Sequence, residues 1–217
     1  MRPFFNFFTS YIVPASTLLP IGAGFIYFNK LNKPLKALLA YLLMAFIMNV
    51  IGTTMAHYDI NNLPALHLYT LLEAVFILLY YRYAFDSPVV NRWTTICIIF
   101  FSTACIINAL FFQSIYEFNT NTRPVGALMI IIFSAAYLAY QNSIPNRELV
   151  TSSGRIVAGG FLLYFCSAIF QFIFTEALRH TTPRSIRIMI WDIHAALVFI
   201  MYMIFLIAII RHGRSQR

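Results

Sequence analysis

Apolar residues run along this chain in seven long blocks, broken by short polar or turn-forming stretches. The blocks cover about 4–28, 35–52, 64–84, 93–113, 124–141, 156–178 and 185–210. Between them lie Asn29-Lys30-Leu31-Asn32-Lys33-Pro34, Asp59-Ile60-Asn61-Asn62-Leu63-Pro64, Asp86-Ser87-Pro88, Asn119-Thr120-Asn121 and Asn142-Ser143-Ile144-Pro145-Asn146. Asn, Asp, Ser and Pro at these points break helices and make turns. A bilayer core about 30 Å thick takes roughly 20 apolar residues as a helix, so each block reads as one span. No ten-residue alternation suggests a β-barrel, and an open sheet leaves backbone groups unpaired in lipid. The expected fold is all-α: a single domain over residues 1–217, built as a polytopic bundle of seven transmembrane helices.

Composition strengthens this. The chain has 217 residues, of which 60% are hydrophobic and 10% charged. Soluble domains carry about 25% charged residues, and one globular core cannot bury such an apolar excess. The formal charge of +8 therefore points to the faces of a lipid bilayer and not to nucleic acid. Lys30, Lys33, Lys36, Arg82, Arg92, Arg147, Arg155, Arg211, Arg214 and Arg217 fall on one side of a seven-span topology; Arg2, Arg123, Arg179, Arg184 and Arg187 fall on the other. The excess of Lys and Arg marks the cytoplasmic side, which predicts an outside N-terminus and a cytoplasmic C-terminus. Tyr11, Tyr27, Tyr58, Tyr80, Tyr81, Tyr83, Trp93 and Trp191 lie near span ends and read as an interfacial belt. Cys97, Cys105 and Cys166 lie inside apolar runs with no CxxC pair, which excludes a zinc-finger or disulfide framework. No connection has the length of a soluble catalytic or signalling domain.

Ionisable groups inside a membrane cost about 2.5–3.5 kcal/mol at its centre, so they face the bundle interior and mark function. Here they collect on one side. Glu73 lies about 13 Å into its helix from Pro64, with Tyr69, Ile77 and Tyr80 on the same face. His67, Asp192, His194, Asn49 and Gln171 fall at comparable or shallower depth on the outer side. Together with Glu73 and Tyr69 they predict an outward-facing polar cavity above an aliphatic and aromatic floor. His57, Asp59, His67 and His194 supply ligand types for a metal, although no HExxH-type spacing is present. His67 with His194 is the pair that a bis-histidine haem would use. Thr182-Pro183 suits the cap and first position of a helix. Arg179, Arg184 and Arg187 beside that helix start form a candidate anion site.

The two helices at 35–84 align without a gap on those at 158–207, at an offset of 123. Leu39 then meets Leu162, Tyr41 meets Tyr164, Ala45 meets Ala168 and His57 meets His180. This predicts a repeat of three spans, one linker span and three spans, an arrangement known in transporters. A retinal protein is excluded, because Lys30, Lys33 and Lys36 are the only lysines and none lies in the last helix.

The run Leu68-Tyr69-Thr70-Leu71-Leu72-Glu73-Ala74-Val75-Phe76, with Trp191-Asp192-Ile193-His194, resembles uncharacterised seven-span bacterial membrane proteins of sensor-input type. The resemblance covers two helices and short motifs. It implies a location in the bacterial cytoplasmic (inner) membrane and a signalling partner at the cytoplasmic face or within the membrane. Three functions fit these features. The first is a receptor-like sensor binding a small ligand or lipid and acting through a partner. The second is a small-solute transporter using the repeat. The third is a metal-dependent lipid hydrolase embedded in the membrane.

Overall fold

A computed structural model describes residues 7–143 and 149–215, without the side chains of 10, 149–151 and 175–180. All regular structure among the described residues is helical. The chain opens with a π-helical turn, Phe8–Ile12, followed by α1 (Val13–Ser16) and α2 (Leu18–Ile26). Six longer helices follow: α3 (Lys33–His57), α4 (Leu63–Ala84), α5 (Pro88–Ile107), α6 (Thr122–Asn142), α7 (Leu149–Thr181) and α8 (Arg184–Ser215). A second π-turn, Asn108–Phe112, extends α5. These six are long and apolar enough to cross a membrane. The protein is therefore an integral membrane, multi-pass helical bundle.

The helices begin where the sequence supplies caps. Asn32 accepts a hydrogen bond from the Leu35 amide at 3.2 Å, and Pro34 occupies the first turn of α3. Pro64 and Pro88 do the same for α4 and α5, where a missing N–H costs nothing. At the start of α8 the Pro183 carbonyl accepts from the Arg187 amide, so the cap moves one residue beyond the expected Thr182.

The first apolar block is not one regular helix. Pro14 and Pro20 each remove a backbone donor, and the Val13 amide reaches back five residues to the Phe8 carbonyl. Such a break in the ladder is the usual origin of a π-turn or kink. The segment still runs along the bundle, where it packs on α8 and α3.

The helices α3 and α4 form one tight antiparallel pair, and α7 and α8 form another. The N-terminal segment rests on α8, and α6 rests on α4. The α6 helix packs more extensively still on α7, its neighbour in sequence. The α5 helix lies at the periphery, with Ile99, Phe100 and Ile106 exposed along it. Phe161 is the hub of the core. Its ring meets Tyr41 of α3 at 5.8 Å, Tyr80 of α4 at 5.9 Å and Phe205 of α8 at 4.9 Å. Without hydrophobic drive between helices in lipid, close packing of this kind and small residues hold the bundle. Gly160 illustrates the second device: a Cβ there would lie 3.0 Å from Ile204 and Phe205.

Tyr80 and Tyr81 correct the belt expected from their position near a span end. Both are fully buried. The Tyr81 hydroxyl lies 2.5 Å from Ser134 of α6, and the Tyr80 hydroxyl points to the Gly154 carbonyl of α7. Tyr11, Tyr58, Tyr83, Trp93 and Trp191 do remain exposed.

At the end of the bundle that holds His57, residues 113–121 fold into a tied loop. Gln113 donates to the Phe118 carbonyl at 2.7 Å and to Thr120 at 2.9 Å. Asn121 donates to Asn108 at 2.9 Å, and Asn119 accepts from the Thr122 amide at 3.1 Å. The opposite end is closed by His212 of α8, whose Nε2 lies 3.2 Å from the Lys30 carbonyl.

Candidate functional site

The site is built around Glu73, midway along α4. The face it shares with Ile77 and Tyr80 turns inward because those side chains pack fully against α3 and α7. Only 4% of Glu73 is exposed. Its Oε1 accepts a short bond of 2.6 Å from the Tyr69 hydroxyl, one helical turn away. The same oxygen accepts a longer contact of 3.4 Å from Tyr41 of α3.

Arg123, in the first turn of α6, lies within electrostatic range of Glu73. Arg123 does not snorkel to the end of the bundle. Its guanidinium carbon sits 4.2 Å from the centre of the Phe172 ring of α7, and it lies against the Tyr164 hydroxyl. Stacking on an aromatic face suits a weakly hydrated guanidinium.

Tyr164 of α7 continues the chain of polar contacts. Its hydroxyl lies 3.2 Å from Nε2 of His194 on α8. The His194 ring is packed among Tyr164, Phe172 and Trp191, with the Phe172 centroid at 5.8 Å. Tyr202 of α8, paired with Thr17 between α1 and α2, completes the interior ring around Glu73. Groups from both helix pairs and from the helices flanking them converge at one level of the bundle. Two buried polar atoms here, Nε of Arg123 and Nδ1 of His194, have no hydrogen-bond partner.

A cavity of about 290 Å³ opens between α7 and α8 beside this network. Its walls include Phe170, Phe174 and Ile193, each about half exposed toward the surroundings of the bundle. Gln171 and His194 supply its polar groups, together with Ser167. Gln171 is buried.

Of the residues expected to share one cavity, Glu73 and Tyr69 are bonded to each other, and Gln171 and His194 line the α7–α8 cavity. The others stand apart. His67 directs Nε2 to the Glu117 carbonyl at 2.9 Å and so ties down the 113–121 loop. Asn49 is exposed on α3, where neighbouring Ile47 and Val50 are exposed too. Asp192 is half-exposed on α8; it lies about 200° around the helix from His194 and presents another face. Glu73 and His67 thus do not open into a common outward vestibule, because tyrosines enclose the first and a loop carbonyl takes the second.

The metal set also dissolves. His57 and Asp59 are exposed at the turn after α3, with His57 against the Tyr58 ring. His67 and His194 point to different partners, so neither a shared metal nor a bis-histidine pair is formed by them. Among the described residues, no three His, Cys, Asp or Glu side chains come together as a metal site. Of the candidate anion site, Arg184 is exposed and Arg187 half-exposed in the first turn of α8. The side chain of Arg179, like those of Glu176 and His180, lies outside the described residues.

Arg123 falls between apolar blocks of the sequence, yet it belongs to the site. The sequence alone does not separate it from Arg184, which also opens a helix and is exposed. The repeat alignment pairs Tyr41 with Tyr164, and both hydroxyls make contacts at the site. No family model, no curated protein and no solved structure matches this chain.

Proposed function

We propose that the chain is a receptor-like membrane protein that binds a small ligand or lipid within the bundle and acts through a partner. In this reading the interrupted N-terminal segment is the seventh span. The N-terminus is outside and the C-terminus cytoplasmic, in keeping with the Lys and Arg distribution. The bacterial inner membrane is the expected location. The observation that carries the reading is the polar chain from Glu73 through Arg123 and Tyr164 to His194. It joins both helix pairs, and its last member lines a cavity open at the bundle surface. A ligand reaching His194 would be felt across the whole bundle, because the network has members on α3, α4, α6, α7 and α8. Differential binding to two arrangements of those helices is all that a switch requires.

Native mass spectrometry of protein released from nanodiscs tests this. A stoichiometric small molecule retained by the wild type and lost in Tyr164→Phe/His194→Leu supports binding at this place. Protein that carries no such molecule, and whose Tm is unmoved by a total membrane extract, refutes it.

One observation favours transport as a second reading. Tyr41 and Tyr164, equivalent in the repeat, each reach an ionisable group on the next helix. Weighing against it is the aromatic packing around Phe161, which would have to open for a solute to pass. Solute uptake into proteoliposomes, abolished by Glu73→Gln, would favour transport over reception.

A further inference from the structure

We propose that the ligand of the α7–α8 cavity is a single-chain carboxylic acid of the membrane, with its carboxylate held near Gln171, His194 and Arg123 and its tail lying along the apolar walls. The proposal rests on the receptor reading and names the ligand class.

Four observations carry it. The cavity is open at the bundle surface and walled by Phe170, Phe174, Ile190, Ile193 and Leu197, so its natural solute arrives from lipid and is mostly hydrocarbon. At about 290 Å³ it has room for one chain segment and its head, not for two acyl chains and a glycerol. Its polar groups are gathered at Gln171 and His194, which gives an amphiphile one orientation. Finally, the charge behind that spot is positive. Arg123 stacks on Phe172, and Phe172 in turn packs against His194.

The two buried atoms without partners, Nε of Arg123 and Nδ1 of His194, belong to side chains that both pack against Phe172. Native proteins leave few such atoms, and each asks for a partner. A carboxylate is an acceptor with two oxygens and about four lone-pair sites, and it forms strong charge-assisted bonds with arginine. Glu73 does not line the cavity, and its Oε1 accepts from Tyr69 and Tyr41. A phosphate monoester carries nearly two charges at neutral pH and suits paired cations; one guanidinium among neutral donors matches a single negative charge.

The test uses the full chain in nanodiscs of zwitterionic lipid. A sixteen-carbon fatty acid is titrated against it, with the sixteen-carbon alcohol and a diacyl phosphatidic acid as comparison ligands. Binding is read by native mass spectrometry and by the change in Tm. Saturable one-to-one binding of the acid is expected, roughly tenfold or more tighter than the alcohol, since an arginine–carboxylate bond contributes at least that factor. Arg123→Gln should erase the preference for acid over alcohol, and Arg123→Lys should retain part of it. Ile193→Trp, which fills the cavity without touching the charge, should weaken both ligands alike. Equal binding of acid and alcohol to the wild type would overturn the proposal, as would phosphatidic acid binding as tightly as the fatty acid. An acid preference that survives Arg123→Gln in protein of normal Tm would overturn it too. If a native ligand is retained but fatty acid does not displace it, the ligand class is wrong while the receptor reading stands. If nothing is retained and nothing binds, both fall.

Discussion

The two tyrosines on Glu73 offer an internal comparison. Both hydroxyls address the same oxygen, at 2.6 Å from Tyr69 and 3.4 Å from Tyr41. Ordinary O–H···O bonds span about 2.5–3.0 Å, so the first is a strong bond and the second a weak one. Replacing either tyrosine by phenylalanine keeps the ring and removes only the hydroxyl, so no packing cavity is introduced. Interhelical and side-chain hydrogen bonds in membrane proteins average about 0.6 kcal/mol and reach about 1.7 kcal/mol. Tyr69→Phe should therefore lie near the upper value, at about 1–1.7 kcal/mol, and Tyr41→Phe at about 0.5 kcal/mol or less. Reversible unfolding in mixed micelles with increasing SDS measures both. A double-mutant cycle then isolates the pair: in a Glu73→Ala background, Tyr69→Phe should cost little, because its acceptor is already gone. Equal costs for the two phenylalanine variants would refute the assignment. So would a Tyr69→Phe cost that is undiminished when Glu73 is absent.

Other outcomes follow from the same geometry. Along α7, a Cβ at Gly154 would run into the Tyr137 hydroxyl, while Gly159 has nothing within 4 Å. Gly154→Ala should lower stability by about 1–3 kcal/mol through overpacking, whereas Gly159→Ala should gain up to about 1 kcal/mol from helix propensity; SDS unfolding distinguishes them, and equal effects would contradict the α6–α7 contact. His67→Ala should speed amide hydrogen exchange at residues 114–119, by freeing the loop from its bond to the Glu117 carbonyl, and leave the middle of α4 protected. Exchange spreading along α4 would mean that His67 has a wider role. Ser134→Ala should cost about 0.6–1.7 kcal/mol by removing the partner of the buried Tyr81 hydroxyl, and Tyr81→Phe in that background should recover part of the loss. No recovery would show that the hydroxyl finds another acceptor.

How much of the site could be read in advance varies residue by residue. Glu73 stands out in any apolar stretch, and the spacing of Tyr69 four residues before it places both on one face. Gln171 and His194 stand out by polarity and depth, and both line the cavity. Arg123 was hidden because it adjoins Thr122 and Pro124 at a block boundary, where a cation is expected to reach for water. Its side chain instead runs inward over Phe172. Tyr80 and Tyr81 mislead for the mirror-image reason. Near a span end they suit an interface, but Ser134 and Gly154 on neighbouring helices give their hydroxyls partners inside.

Helical character, the membrane environment and six of the segment positions belong to the chain alone. Runs of apolar residues and prolines with asparagine caps act locally, and lipid forces each backbone to bond within its own helix. Which polar groups face one another is a different matter. A helix presents every direction around its axis, and only packing against neighbours selects the direction that turns inward. Tyr164 and His194 are thirty residues apart and meet only because α7 and α8 pack side by side. Arg123 meets them only because α6 delivers it to the same level of the bundle.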